Sequence, residues 1–414
     1  MTEGRPAPLV LVAAPGESGE SGEPGEPAFG SYAAVVDAGR RLLGAELTQR
    51  LASLGAAVAP LSAGAGEGPF HWGRWFADAA RGALDAAGDG AGAAGTAGGA
   101  AGGAAGGASP GAPASAGSLD AIGYAGAGAL ALADDEALGA LLSPIPGEVV
   151  ANNRFSADAF VVAGDLPRAL AALEGCGSDN AAVRCLEAAA FTGRDLGSAA
   201  WSRFDVDTPL DLALLRLAGR LGNQQPRIRP LDRALRGFLE MAQLPGGRRL
   251  EVPGLERLGE VVRSREAELV VAGRVPSATL AYLETETACR VRAFVEERGM
   301  RSAREARPRS LLADWSTAHG AAALIGELAA LGDAVVLDTR VLMAARAGSS
   351  EAAAWPAAEE RYASDFLDAA RVESDWLAEL TAAAAEASVP VLLGGHTLVS
   401  DGLRILVEAA WQGR

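Results

Sequence analysis

The chain has 414 residues, 49% of them hydrophobic, with 36 Lys+Arg against 52 Asp+Glu and a formal net charge of -16. That length gives two or three domains, each able to bury a core. The charge argues against a nucleic-acid or anionic-membrane partner, because both need clustered cations.

Every basic side chain is arginine, since the sequence contains no lysine. A Schiff-base lysine, a Walker A lysine and a kinase β3 lysine are therefore excluded. Any phosphate must be held by Arg, by backbone N–H groups, by a helix N-terminus or by a metal. Cys176, Cys185 and Cys289 show no CxxC spacing and suggest neither a zinc knuckle nor a disulfide framework. The first ten residues lack a basic stretch followed by a long apolar one, and no apolar run reaches about 18 residues. A soluble, cytoplasmic protein is expected.

In chain order, PLVLVAAP (7–14) predicts a buried strand, and GESGESGEPGEPAFG (16–30) a mobile loop that cannot build a core. Leu42, Leu43, Leu47 and Leu51 recur at helical spacing within 38–54. A short strand follows at 56–61, and PFHWGRWFADAARGALDAAG (69–88) predicts a helix with His71 packed at its start. Residues 89–117 are almost entirely Gly, Ala, Ser and Pro and predict a disordered insertion. Strands are predicted at 119–126, 147–153 and 159–164, with helices at 133–143 and over LPRALAALEGC and NAAVRCLEAAAF. WSRFDVDTPLDLALLRLAG (201–219) gives an extended segment, a turn at Thr208-Pro209 and a helix. GNQQPRIRP (222–230) marks a boundary. Beyond it, a mostly helical stretch to about 266 leads to strands at 268–275, 289–300, 333–341 and 389–395. Strands alternating with helices of this length indicate α/β units with mainly parallel sheets.

The string FDVDTPLDLALL resembles the late motif of MobA-like nucleotidyltransferases, within the GT-A-like nucleotide-diphospho-sugar transferase fold. The local physics agrees: Pro209 is pre-set for a first helical turn, which Thr208 or Asp207 can cap. Asp205 and Asp207 alternate on an expected strand and share a face, where two carboxylates can hold Mg²⁺ against phosphate oxygens. The alternative is that one acid caps a helix and the other is solvated. ANNRFSAD resembles the family's mid-sheet strand and loop beside the substrate, and DAGRRLLGAELTQRL its helix start. The resemblance implies nucleotide binding by Arg40, Arg41, Asn152 and Asn153 and metal binding by Asp205 and Asp207. Turn chemistry is the alternative for the two Asn residues. Departures are visible: four Glu residues stand in the Gly-rich loop after the first strand, the phosphate lysine is absent, and no acid follows DAIGYAG until Asp134.

Residues 226–414 carry no family motif. Gly273-Arg274 ends an apolar strand, Asp338 and Arg340 end another, and Gly394-Gly395-His396 a third. In a parallel sheet these ends meet at one edge, where free N–H groups and arginines can take an anion. An anion is therefore expected between the turns at Arg274 and His396, beside Asp338 and Arg340. A buried structural Asp338–Arg340 pair, and His396 as a helix cap, are the competing readings.

The expected architecture is α/β: a Rossmann-like, GT-A-type, mainly parallel sheet domain over 1–225, with insertions at 16–30 and 89–117, followed by a second α/β domain over 226–414. Two function classes stay open for the first domain, beside a third reading that places catalysis in the second domain around His396, Asp338 and Arg274. One is NTP- and Mg²⁺-dependent nucleotidyl transfer to a small phosphorylated or acidic acceptor. The other is a catalytically degenerate scaffold, or ligand sensor, acting through the C-terminal domain. In both the partner is a nucleotide or phosphorylated small molecule.

Overall fold

The computed structural model describes residues 7–13, 30–61, 70–93, 119–197, 201–222, 228–297, 308–349 and 352–412. The loop expected at 16–30, apart from Gly30, lies outside them, as does most of the insertion expected at 89–117 and part of the boundary at 222–230.

The chain forms two compact units. The first comprises Met1–Glu17, Gly44–Ala127 and Asp135–Gly197, and the second Ser18–Leu43, Gly128–Asp134 and Ser198–Arg414. A single cut near residue 225 is thus replaced by an interleaved division. The physical reason is packing: Tyr32, Leu43, Leu132, Phe204, Val206 and Leu212 belong to the hydrophobic cluster of the second unit. A linear reading of composition cannot see which cluster a leucine joins.

The first unit contains β1 (Leu9–Ala13), the part of the helix α1 (Tyr32–Ser53) beyond Leu43, β2 (Ala57–Leu61), α2 (Trp72–Ala93) and β3 (Ala121–Ala125). It continues with α3 (Asp135–Leu141), β4 (Glu148–Ala151), β5 (Ala159–Ala163), α4 (Leu166–Glu174), α5 (Ala182–Ala188) and β6 (Thr192–Asp195). Its strands form a six-stranded sheet in the order β2-β1-β3-β5-β4-β6. Only β5 runs antiparallel to its neighbours β3 and β4. The apolar runs LVLVA, AIGYA and AFVVA are buried along their whole length, as strands covered on both faces must be. One side of the sheet carries an aromatic cluster in which Trp72 stacks on Phe76 at 5.3 Å and meets Tyr124 edge-on at 5.4 Å. His71 sits at the start of α2, its Nδ1 accepting from Arg74 N–H at 3.4 Å. The helix α2 runs to Ala93, into the first residues of the Gly/Ala stretch. The edge strand β6 was not expected from TGRD, whose side chains are exposed or half-buried and lack an apolar signature.

The second unit contains α6 (Pro209–Leu221), α7 (Arg233–Met241), a small hairpin of β7 (Gln243–Leu244) and β8 (Arg248–Arg249), and α8 (Leu255–Arg263). Then come β9 (Glu268–Gly273), α9 (Ser277–Glu286), β10 (Arg290–Val295), α10 (Leu311–His319), α11 (Ala321–Ala330), β11 (Ala334–Asp338) and α12 (Thr339–Ala347). It ends with α13 (Ala358–Asp365), α14 (Asp375–Glu386), β12 (Val391–Gly394) and α15 (Leu403–Gln412). Four strands make a parallel sheet in the order β10-β9-β11-β12. The central β9 and β11 are fully apolar and inaccessible, except for half-buried Glu268 at the start of β9 and the acid Asp338 that ends β11. The chain leaves β9 toward β10 on one side and returns to β11 on the other, so the order switches between β9 and β11. Both units are therefore α/β with mainly parallel sheets, as expected. Among the described residues no helix is long and apolar enough to cross a membrane.

Candidate functional site

The carboxyl ends of β9 and β11 lie at the switch point of the second sheet, where open parallel sheets leave a crevice. Gly273 closes β9 with φ +121°, and a Cβ there would lie 2.4 Å from Asp338 Cβ, so the close approach of the two strand ends requires glycine. Arg274 follows and donates from Nε to Asp338 Oδ2 at 2.7 Å and from Nη2 to Oδ1 at 3.3 Å. Asp338 is fully inaccessible. It caps α12 by accepting from Arg340 N–H at 3.1 Å. Burial pushes its carboxyl up, but the attraction and hydrogen bonds of Arg274, with His396 and Arg340 nearby, hold it below the ordinary carboxylate value.

Arg340 turns to a different acid. Its two terminal nitrogens each donate to Asp365 at 2.6 Å, a bidentate pair, and Nη1 also reaches Thr339 Oγ1 at 2.8 Å. Burial opposes the Arg340 charge, yet Asp365 and Asp338 hold its pKa above normal. Asp365 itself is pushed up by burial, which Arg340 only partly offsets. The result is an alternating chain, Arg274–Asp338–Arg340–Asp365. The four residues expected at this edge, Arg274, Asp338, Arg340 and His396, are brought together around Asp338. The expected direct Asp338–Arg340 side-chain pair does not form. The position expected for an external anion, between the turns after β9 and β12, is held by Asp338, because β11 lies between those two strands.

The Asp205–Asp211 segment belongs to the same unit. Residues 204–207 form no strand, contrary to expectation. They still alternate: Phe204 and Val206 are buried, Asp205 is half-buried and Asp207 exposed. Thr208 and Asp211 form a capping box at the start of α6, which also has Pro209 at its first position. Asp211 Oδ2 accepts from Asp207 N–H, Thr208 N–H and Thr208 Oγ1. Burial, then the charge of Asp207, pushes the Asp211 carboxyl up to about 7. Asp205 Oδ1 accepts from Val206 N–H at 2.9 Å. Asp207 Oδ1 lies 3.7 Å from Arg40 Nη2. Tyr362, on α13, donates its hydroxyl to the Asp207 carbonyl at 3.1 Å, and Thr397 donates to the Asp205 carbonyl at 3.3 Å. Thr397 directly follows His396 in the turn after β12. The loop carrying Asp205 and Asp207 is thus tied both to α13 and to that turn.

The other expected nucleotide contacts are placed differently. Arg41 is exposed and makes no ion pair with the described residues. Asn152 and Asn153 belong to the first unit, and Arg40, Asp205 and Asp207 to the second. Asn152 Oδ1 accepts from Ala159 N–H at 3.0 Å and its Nδ2 donates to Asp158, while Asn153 Oδ1 accepts from Phe155 N–H at 3.2 Å. These bonds shape the β4–β5 turn. For a divalent metal, two carboxylates with one facing Arg40 do not make a resident site, since any ion would need its other ligands from phosphate oxygens and water. Among the described residues no group of three or more His, Cys, Asp and Glu is placed to hold a metal ion.

Several participants left no usable mark in the sequence. Asp365 and Tyr362 sit in the polar run AEERYASD, which reads as a solvated helix face. Glu359 accepts from the first two N–H groups of α1, Tyr32 at 3.0 Å and Ala33 at 2.6 Å, from more than 300 positions away. Asp211 could have been found from the Thr-x-x-Asp spacing after Asp207. No protein-family model matches the chain, and no curated protein or solved structure matches it either.

Proposed function

We propose that this chain is a ligand-binding protein, a sensor or scaffold, whose second unit takes a small phosphate- or carboxylate-bearing molecule at the carboxyl edge of its four-stranded sheet. The supporting observation is the buried chain Arg274–Asp338–Arg340–Asp365 at the switch between β9 and β11. Packing this volume with aliphatic side chains would be as stable or more so. Four charges kept at the crevice where such sheets take ligands argue for recognition. Asp338 holds the Arg274 fork in place through Nε and Nη2, and Arg274 remains one-fifth accessible. Its Nη1, which makes no hydrogen bond with the described residues, is the group offered to a ligand oxygen. Arg40 and Tyr362 lie beside the Asp207 loop.

Calorimetric titration with GTP, CTP, ATP and inorganic phosphate, with and without Mg²⁺, tests this. Binding that Arg274→Ala weakens at least tenfold is expected, and a probe at 100 times its Kd should add about 2.7 kcal/mol of stability. Absence of heat with every probe, or an Arg274→Ala variant that binds as the wild type does, overturns the reading.

A second reading, nucleotidyl transfer to a phosphorylated or acidic acceptor, draws on the Asp-x-Asp-Thr-Pro turn of the second unit. Exposed Asp207, with half-buried Asp205 two residues before it, also favours it. A Mg²⁺-dependent heat that disappears in Asp207→Asn would support it over the first.

A further inference from the structure

In the first unit, the turn after α4 brings Cys176 and Cys185 together as a disulfide, with Cα atoms 6.5 Å apart. The sequence did not suggest it, because an eight-residue spacing carries no signature of its own. Cys176 is buried at the end of α4, and its carbonyl accepts from Gly73 N–H at the start of α2. Cys185 lies half-buried on α5. The segment between them, through the single helical turn Asp179–Ala181, buries no residue up to Ala181. This segment and α5 support the loop that follows β4. Ser156 donates to Asn180 Oδ1, and Arg154 pairs with Glu187 at 2.7 Å.

We propose that Cys176 and Cys185 are a reversible thiol–disulfide pair whose oxidised form braces the Asn152–Ser156 loop at the carboxyl end of β4. The co-reactant is a low-molecular-weight disulfide. The thiolate of half-buried Cys185 attacks one of its sulfurs, forming a mixed disulfide and releasing one small thiol. Cys176 then attacks the Cys185 sulfur and releases the second. Two protein S–H groups are oxidised, one external S–S bond is reduced, and both protons leave on the small thiols. Two external thiols reverse the sequence. Opening is local to residues 177–181, which bury nothing, while Ala182 and Val183 at the start of α5 stay in the cluster of the first unit. Cys289 stays outside this chemistry, because it is buried and burial pushes its thiol pKa up.

The test uses the full chain after oxidised glutathione and, separately, after dithiothreitol. Titration of unfolded protein should count one thiol in the first case and three in the second. Reduction should lower the melting midpoint of the first unit by about 5–10 °C, given the loop closed by the bridge and a domain of this size. Hydrogen exchange over 152–158 and 178–187 should quicken, while β9–β12 stays unchanged. Cys185→Ser should reproduce the reduced pattern without any reagent. Three thiols after oxidised glutathione, a bridge that dithiothreitol leaves intact in the folded protein, or unchanged exchange over 152–158 on reduction would each overturn the proposal.

Discussion

Arg340 and Asp365 show how much can hang on one buried pair. Both are nearly inaccessible and joined by two hydrogen bonds of 2.6 Å. Removing one partner strands the other charge in a medium that cannot solvate it. Arg340→Ala is therefore expected to destabilise the second unit by about 3–5 kcal/mol, while replacing both residues by apolar ones of similar volume recovers most of the loss. Denaturant titration of the single and double variants measures it, and a single-variant cost under about 1 kcal/mol would show that the pair is solvated. Asp211 gives a pH signature. Its carboxyl is held at about 7 in the fold, against about 4 for a free carboxyl. Between those values the folded state keeps a proton that the unfolded chain has lost, so this group's contribution to stability falls as pH rises from about 4 to about 7. Asp211→Asn should flatten that decline, and melting curves across the range would reveal it.

At the scale of elements, the Asp-x-Asp-Thr-Pro turn was legible as the start of α6, because capping is local chemistry. Thr208→Ala removes the hydroxyl that accepts from Asp211 N–H and should cost about 1 kcal/mol, read from the shift in denaturation midpoint. A change within error would mean that Pro209 and the tertiary contacts fix this end alone. The strands β1, β3, β5, β9, β11 and β12 were equally legible, since apolar runs of four to six residues flanked by Gly or Pro have few other uses. Their direction was not. That β5 runs against β3 and β4 depends on the tight Asn-built turn joining it to β4, not on its own composition. The disulfide was invisible for a similar reason: its two cysteines meet only because α4 and α5 are folded against each other.

For the whole molecule, two separate hydrophobic clusters follow the two units. A cavity in one should leave the packing of the other in place. Phe160→Ala, at the centre of the first cluster, is expected to cost about 3–5 kcal/mol. Hydrogen exchange should then lose protection over β1–β6 and retain it over β9–β12, whereas loss in both sheets would mean that the clusters unfold as one. By itself the sequence determined the α/β class, the absence of lysine chemistry, the start of α6 and the convergence of Arg274, Asp338, Arg340 and His396. Each follows from residue type, local spacing or the rule that parallel strands end at one edge. Tertiary structure alone decided that Asp338 holds the expected anion position, that Asp365 takes Arg340, and that Arg40, Asp205 and Asp207 join the second unit. Those outcomes depend on which charges lie within a few ångströms after burial, and pairs as unevenly spaced as Arg340–Asp365, Arg274–Asp338 and Arg40–Asp207 leave no periodicity for a linear reading to find.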